Sequence, residues 1–332
     1  MSAAEELPAR ALDIAPLLLV PVVAIAMLPL VGSFPAWVTL TVAGLAMGMM
    51  IFIMASGLTL IFGLMDVLNF SHGAFVTVGA YAATLVLLPL AGWVSADSLW
   101  MNLAAVALAI GAAMIVTGLV GLAFERLLVR PVYGQHLRQI LITMGGAIVI
   151  EQLLSVLWGP EQIPLPLPQT LRGAFVIGDV AIEKYRLLAV AVGLVVFAGM
   201  FLALNRTRLG LLIRAGVENG LMVEALGYRI RRLFIGVFVA GSGLAGLGGV
   251  LWGLYREMLT ASMGGEIVVM VFIVIIIGGL GSVGGCFLGA LLTALVANYA
   301  GFLAPKLALA SNILLMVAIL LWRPAGLYAV KR

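Results

Sequence analysis

Long apolar runs fill most of the chain, and short polar stretches separate them at intervals that set a topology. Runs able to cross ~30 Å of hydrocarbon fall approximately at 12–30, 37–63, 72–90, 99–124, 138–158, 185–204, 233–254 and 307–323. The stretch 266–303 holds 38 residues, too many for one ordinary span, and carries a glycine cluster at its centre. Splitting it at Gly278–Gly285 yields two more runs, and ten crossings in all. The pattern predicts an all-α integral membrane protein of about ten transmembrane helices, some of them short or broken, forming a single domain over residues 1–332.

Two polar stretches stand out from this background. The first, 205–232, reads NRTRLGLLIRAGVENGLMVEALGYRIRR and contains six of the 18 Lys+Arg residues. At its centre Leu221, Met222, Ala225 and Leu226 recur at roughly helical spacing, with Glu218, Asn219 and Glu224 on one side. Gly227 stands where a helix C-terminal glycine would. About eight residues at ~1.5 Å each make a helix far too short to cross a bilayer. Held between two membrane segments, it is a natural handle for a partner. The second stretch, 159–183, carries Pro160, Pro164, Pro166 and Pro168, a spacing that favours stiff extended chain and an ordered cap on the outer face.

Basic residues orient the ten spans. With 205–232 on the cytoplasmic side, both termini are cytoplasmic too, and 13 basic residues lie inside: Arg10, Arg126, Arg130, Arg138, the six of the loop, Arg323, Lys331 and Arg332. Outside are five, Arg172, Lys184, Arg186, Arg256 and Lys306. That asymmetry agrees with the positive-inside rule.

Composition adds exclusions. Hydrophobic residues make up 64% and charged residues 10%, at a mean hydropathy of +1.23, whereas a soluble domain carries about a quarter charged residues. The net charge of +4 follows membrane topology, so it is no nucleic-acid signal. Cys286 is alone, which excludes an intramolecular disulfide, and with His72 and His136 the only histidines a zinc site is not expected. Forty glycines suit close helix packing in lipid. Glu5 and Glu6 precede a first apolar run interrupted by Pro16, Pro21 and Pro29, which reads as a retained span rather than a cleaved signal. Trp37, Trp93, Trp100, Trp158 and Trp322 sit near span ends as interfacial anchors.

Few motifs carry chemistry. Gly241–Gly246 and Gly279–Gly284 both match G-x-G-x-x-G, but that pattern binds dinucleotides only where a strand meets a helix. In apolar runs they read as packing glycines, and Gly241, Ala245, Gly249 and Gly253 form a small-residue face. None of the three lysines follows a glycine-rich phosphate loop, so any ATPase that drives this chain is another subunit. In Gly57–Gly73 the polar residues Asp66, Asn69, Ser71 and His72 crowd a junction with almost no room for a loop. Two compatible readings stand: Asn69 or Ser71 caps the next helix, and the segment is a broken helix lining a path through the membrane. Glu151 is the one acidic residue well inside a predicted span. It is open to a polar contact with Gln152 or backbone, to a place along such a path, or to proton coupling, for which no span supplies a second carboxylate.

Four blocks resemble the membrane subunits of bacterial branched-chain amino acid ABC importers, the Liv-type permeases. They are Gly57–Tyr81, ending its first part in Asn69-Phe-Ser-His-Gly73; Phe124–Pro160, with Glu125-Arg126 and Arg130-Pro131; the loop with Arg208-x-Gly210, Arg214-Ala215, Glu218-Asn219 and Ala225-Leu226-Gly227; and Gly278–Leu292 followed by Arg323-Pro-x-Gly326. Gly284-Gly285 departs from the family, which often has proline before the second glycine. The resemblance implies an inner-membrane permease without a cofactor of its own, working by alternating access. Its partners would be a second permease subunit, two cytoplasmic ATPases that bind the ATP, and a periplasmic solute-binding protein. It casts Glu218, Asn219, Leu221, Met222, Glu224, Ala225, Leu226 and Gly227 as the coupling helix, and Asn69, Phe70, Ser71, His72, Gly73, Glu151, Gly278, Gly279 and Gly281 as candidates for the translocation pathway. The cargo would be a branched-chain amino acid or a similar small polar solute. A gradient-driven secondary transporter and a passive small-solute channel are the competing readings.

Overall fold

A computed structural model describes residues 14–218 and 220–328; both chain termini and Asn219 lie outside them. Each of the ten apolar runs holds one helix. In chain order the helices are α1 (Ala15–Val31), α2 (Phe34–Met65), α3 (His72–Leu87), the single turn α4 (Ala91–Val94), α5 (Leu99–Phe124), α6 (His136–Trp158) and α7 (Lys184–Arg206). Then come α8 (Arg208–Glu218), α9 (Gly220–Ala225), α10 (Ile230–Arg256), α11 (Met263–Gly278), α12 (Val283–Leu303) and α13 (Ala308–Trp322). By length and composition α2, α5, α6, α7, α10 and α12 can each cross a membrane, while α1, α3, α11 and α13 are shorter apolar helices. Helices suit this chain because lipid offers no partners for backbone N–H and C=O groups, which an α-helix satisfies within itself.

The centre is built from α2, α3, α10, α11 and α12, with α5 against α3 and α10. Phe52, Met54, Leu58, Phe75, Tyr81 and Phe238 are fully buried there. Helices α6 and α7 lie outside, and each turns apolar residues outward, such as Val149, Val156 and Val195. Lipid is as apolar as leucine, so the central helices are held by close contact rather than by exclusion of water. The small-residue face of α10 performs that role as expected. A Cβ on Gly241 would stand 2.7 Å from the Gly57 carbonyl oxygen of α2, and Gly249 abuts the backbone of Val76 on α3.

The connections sort into two ends. At one, Asp66 lies 3.9 Å from His136, Gly281 packs on Gly63, and Gly279 meets Tyr328. At the other, the Thr170 amide and hydroxyl both donate to Asn102 Oδ1 at 2.8 Å. The proline-rich stretch is extended, as its composition predicts. Its β1 (Ile163–Pro164) pairs antiparallel with β4 (Met258–Leu259), and β2 (Ala174–Ile177) pairs with β3 (Val180–Glu183). Gly178, at φ +61°, opens the two-residue turn of that hairpin.

Candidate functional site

Helix α2 stops at Asp66, which takes a left-handed conformation (φ 53°) and donates its amide to the Phe62 carbonyl at 3.0 Å. The next six residues, 66–71, are not helical, and they run down the side of α2. At their lower end the His72 ring Nε2 meets the Met54 carbonyl at 2.7 Å. Met54 lies 11 residues before Met65, the last of α2, so the His72 ring reaches a level about three turns back along its neighbour. Irregular backbone persists at membrane depth only beside protein or a water-filled cavity. The junction is a break between α2 and α3 that packs against protein.

Partners for the exposed backbone come mainly from α6. The Phe70 amide donates to Thr143 Oγ1 at 3.2 Å, and the Ser71 hydroxyl donates to the Thr143 carbonyl. The side chain of Ser71 makes no cap on α3; instead Asn69 Oδ1 accepts the Ser71 amide at 3.1 Å, so a share of the capping role falls to Asn69. Phe70 packs on Phe272 of α11, with ring centroids 4.6 Å apart, and Gly73 touches the backbone of Gly264 in the first turn of α11. Asn69, Phe70, Ser71, His72 and Gly73 thus sit together at this break. Since a carbonyl only accepts, Nε2 of His72 carries the hydrogen. Asn69 Nδ2, His72 Nδ1 and Gln139 Oε1 are buried without a hydrogen-bond partner among the described residues.

The remaining predicted residues lie elsewhere. Glu151 is half-buried on the outer helix α6, beside the exposed Ile148 and Val149. The structure does not bring it to the break. Gly278, Gly279 and Gly281 form the turn between α11 and α12, where Gly279 and Gly281 take φ of 96° and 82°. A Cβ on Gly281 would stand 2.7 Å from Gly63 Cα, and one on Gly279 2.8 Å from the Tyr328 carbonyl. The C-terminal segment closes this turn, with the Leu327 and Tyr328 amides donating to Ile277 and Gly278. The turn is a packed knot of backbone. Gly284, the second residue of α12, has nothing within 4 Å of a built Cβ.

One buried acid escaped the sequence reading. Glu125 is 1% exposed, and its Oε1 accepts the Tyr133 hydroxyl at 3.0 Å. Burial, and then the Glu125 carboxylate, push the Tyr133 hydroxyl above its ordinary pKa. Glu125 follows α5 in a π turn, Glu125–Val129, which carries the helix past the point where the apolar run ends.

The predicted coupling stretch is helical over Arg208–Glu218 and again over Gly220–Ala225, with Asn219 outside the described residues. α8 follows α7 after Thr207 alone, and α9 provides the short segment. Gly227 ends α9 at φ +89°, its amide donating to Glu224 at 2.9 Å and that of Tyr228 to Val223 at 3.2 Å. That pair of bonds is a Schellman motif, so the glycine does what its position predicts. Glu218 belongs to α8 and Leu221 to α9; Val223 is buried, while Met222, Glu224, Ala225 and Leu226 are exposed. Glu224 borders a cleft with Arg126, Arg130 and Arg229.

A second cleft, of about 580 Å³, opens at the opposite end of the molecule. Trp252, Tyr255, Arg256, Met263 and Glu266 line it, together with Glu183 and Arg186, which form a two-bond ion pair at 2.9 Å. Met263 and Glu266 belong to the first turns of α11, the part that touches Gly73. The cleft and the break therefore meet along one helix.

The family described as branched-chain amino acid transport system / permease component matches residues 40–321, from within α2 almost to the end of α13. The chain belongs to that family. It is 29% identical over 293 residues to the high-affinity branched-chain amino acid transport system permease protein BraD of Pseudomonas aeruginosa, covering 86% of this chain and 94% of that one. Its identity to the corresponding LivH of Escherichia coli is 25%, over 86% of this chain and 92% of the relative. The inner membrane ABC transporter permease protein YjfF of Escherichia coli is 29% identical over 172 residues, about half of each chain. No solved structure matches significantly. Family membership makes this a multi-pass membrane permease and not an enzyme, in keeping with the apolar helices.

Proposed function

We propose that this chain is a permease subunit of an ATP-binding-cassette importer that carries branched-chain amino acids inward across a bacterial inner membrane. Ten helices cross the bilayer with both termini in the cytoplasm, and a second permease subunit packs beside it. Two cytoplasmic ATPases supply the drive, and a periplasmic binding protein delivers the solute. The observation that carries this reading is the single family match from α2 to α13, which takes in both the broken helix and the α8–α9 loop. The charge asymmetry supports the orientation, because the loops rich in arginine gather at the end that bears α9.

On this reading solute enters from the cleft over α11 and passes the break at 66–73. The unspent polar atoms of Asn69, His72 and Gln139 then find partners in the alternate state. The exposed apolar side chains of Met222 on α9 and Leu226 just after it seat the helix in an ATPase groove. Movement of that ATPase is transmitted through α8 and α10, the helices that flank α9 in sequence. The test is leucine uptake into proteoliposomes containing the assembled subunits. Uptake should require ATP and the ATPase, and Met222→Asp/Leu226→Asp should abolish it while ATP hydrolysis persists. Leucine uptake driven by an ion gradient with no ATPase present would overturn the proposal.

A further inference from the structure

The cleft beside the coupling stretch has an unusual lining. It encloses about 720 Å³, and five of its nine lining residues are arginines: Arg126, Arg130, Arg229, Arg231 and Arg232. The only acid among the nine is Glu224. Two of the arginines come from the turn after α5 and three from the start of α10, elements some hundred residues apart in sequence. None of the five makes an ion pair within 4 Å among the described residues. Elsewhere Arg186 is paired with Glu183, and Arg323 stacks 4.5 Å over the Trp322 ring. The positive-inside rule accounts for arginines on this face. It does not account for their convergence on one cleft, where like charges raise each other's energy unless an anion sits between them.

We infer that this cleft binds a phosphate-bearing anion, either the headgroup of an anionic phospholipid or a soluble phosphate. Guanidinium groups present paired donors that match phosphate oxygens, and they keep their charge at every physiological pH. Tyr228 and Ile235 add an aromatic and an apolar wall, suited to the glycerol region of a lipid. Because Gly227 and Tyr228 form one side and Arg126 and Arg130 the other, a bound phosphate ties the end of α9 to the end of α5. Occupancy therefore stiffens the coupling stretch, which goes beyond the transport reading above.

Hydrogen–deuterium exchange on the full-length chain in nanodiscs tests this. Three samples are compared: phosphatidylcholine alone, phosphatidylcholine with phosphatidylglycerol, and phosphatidylcholine with inorganic pyrophosphate in solution. With the probe about tenfold over its Kd, exchange across 222–235 should slow ~10-fold. Slowing with phosphatidylglycerol assigns the site to a lipid headgroup; slowing with pyrophosphate assigns it to a soluble phosphate. The effect should vanish in Arg126→Gln/Arg130→Gln and again in Arg229→Gln/Arg232→Gln, two pairs on different elements, so that misfolding of one pair leaves the other to decide. No slowing with either probe, or undiminished slowing in a folded variant, overturns the inference. The measurement needs neither ATP nor uptake, so its failure leaves the transport proposal standing, and the reverse holds too.

Discussion

Two interruptions of helix in this molecule solve the same problem in opposite ways. Between α2 and α3 the chain runs non-helical for six residues and is held by side chains: Thr143 and Asn69 take its amides, and Ser71 and His72 reach carbonyls on α6 and α2. Between α11 and α12 the turn is held by backbone pressed on backbone, with Gly63, Gly285, Gly326 and Tyr328 packed around Gly278–Gly281. The first leaves buried polar atoms without partners, and the second spends its neighbouring carbonyls on the amides of Leu327 and Tyr328. The glycine turn is held in one arrangement by these close backbone contacts, with Ser282 Oγ accepting the Gly285 amide at 3.1 Å. A junction held by hydroxyl, amide and imidazole can exchange partners at small expense. A fixed corner is what the glycine turn suits, and a moving one is what the side-chain junction suits.

This contrast can be broken most sharply at Gly281. Substitution by alanine adds a left-handed penalty of about 1–2 kcal/mol to an overpacking penalty of about 1–3 kcal/mol. Thermal unfolding in detergent should show a loss of roughly 3 kcal/mol; an unchanged midpoint would mean that the knot yields. Thr143→Val comes next. Removing the hydroxyl leaves the Phe70 amide without its acceptor, for a stability loss of about 1–3 kcal/mol, and the initial rate of leucine uptake should fall further than in a Gly281 variant retained at equal abundance. Equal rates would put both breaks in the same structural class. At Asp66 the left-handed backbone predicts that valine costs about 1–2 kcal/mol while glycine is tolerated, and a melting series distinguishes the two. The smallest effect belongs to Gly284→Ala. With open space around it, alanine in the first turn of α12 should raise stability by up to about 1 kcal/mol; a loss there would show that the knot extends further than its contacts indicate.

Much of the fold is legible because length of apolar run is a strong signal in a membrane chain. The run at 99–124 coincides with α5, and the division of 266–303 coincides with the gap between α11 and α12. Gly227 was readable because a Schellman glycine has a fixed place after a short helix. Other features depend on contacts that no local pattern encodes. The gap at 66–71 reads as a short polar connection, and only the meeting of His72 with Met54 reveals how deep it goes. Glu125 lies just past the apolar run at 99–124, where no local pattern marks it as buried, yet it is enclosed within a π turn and bonded to the Tyr133 hydroxyl. Glu151 shows the reverse. Its position inside an apolar run drew attention, yet the outer placement of α6 sets it apart from the break. Helix α8 went unread because its arginines resemble loop composition, although its apolar residues follow helical spacing.

The pairing of Ile163–Pro164 with Met258–Leu259 also has a consequence for how the protein is made. Leu259 follows its partner Ile163 by 96 positions, so at ordinary synthesis rates β1 leaves the ribosome on the order of 5–20 s before β4 exists. During that wait α7 and α10 must be threaded into the membrane, and β1 has no strand to pair with. Proline makes the delay harmless. A chain carrying Pro160, Pro164, Pro166 and Pro168 stays extended without needing internal hydrogen bonds, and it presents fewer amides to mispair with passing segments. The turn that carries Met258–Leu259 then finds its partner strand already straight.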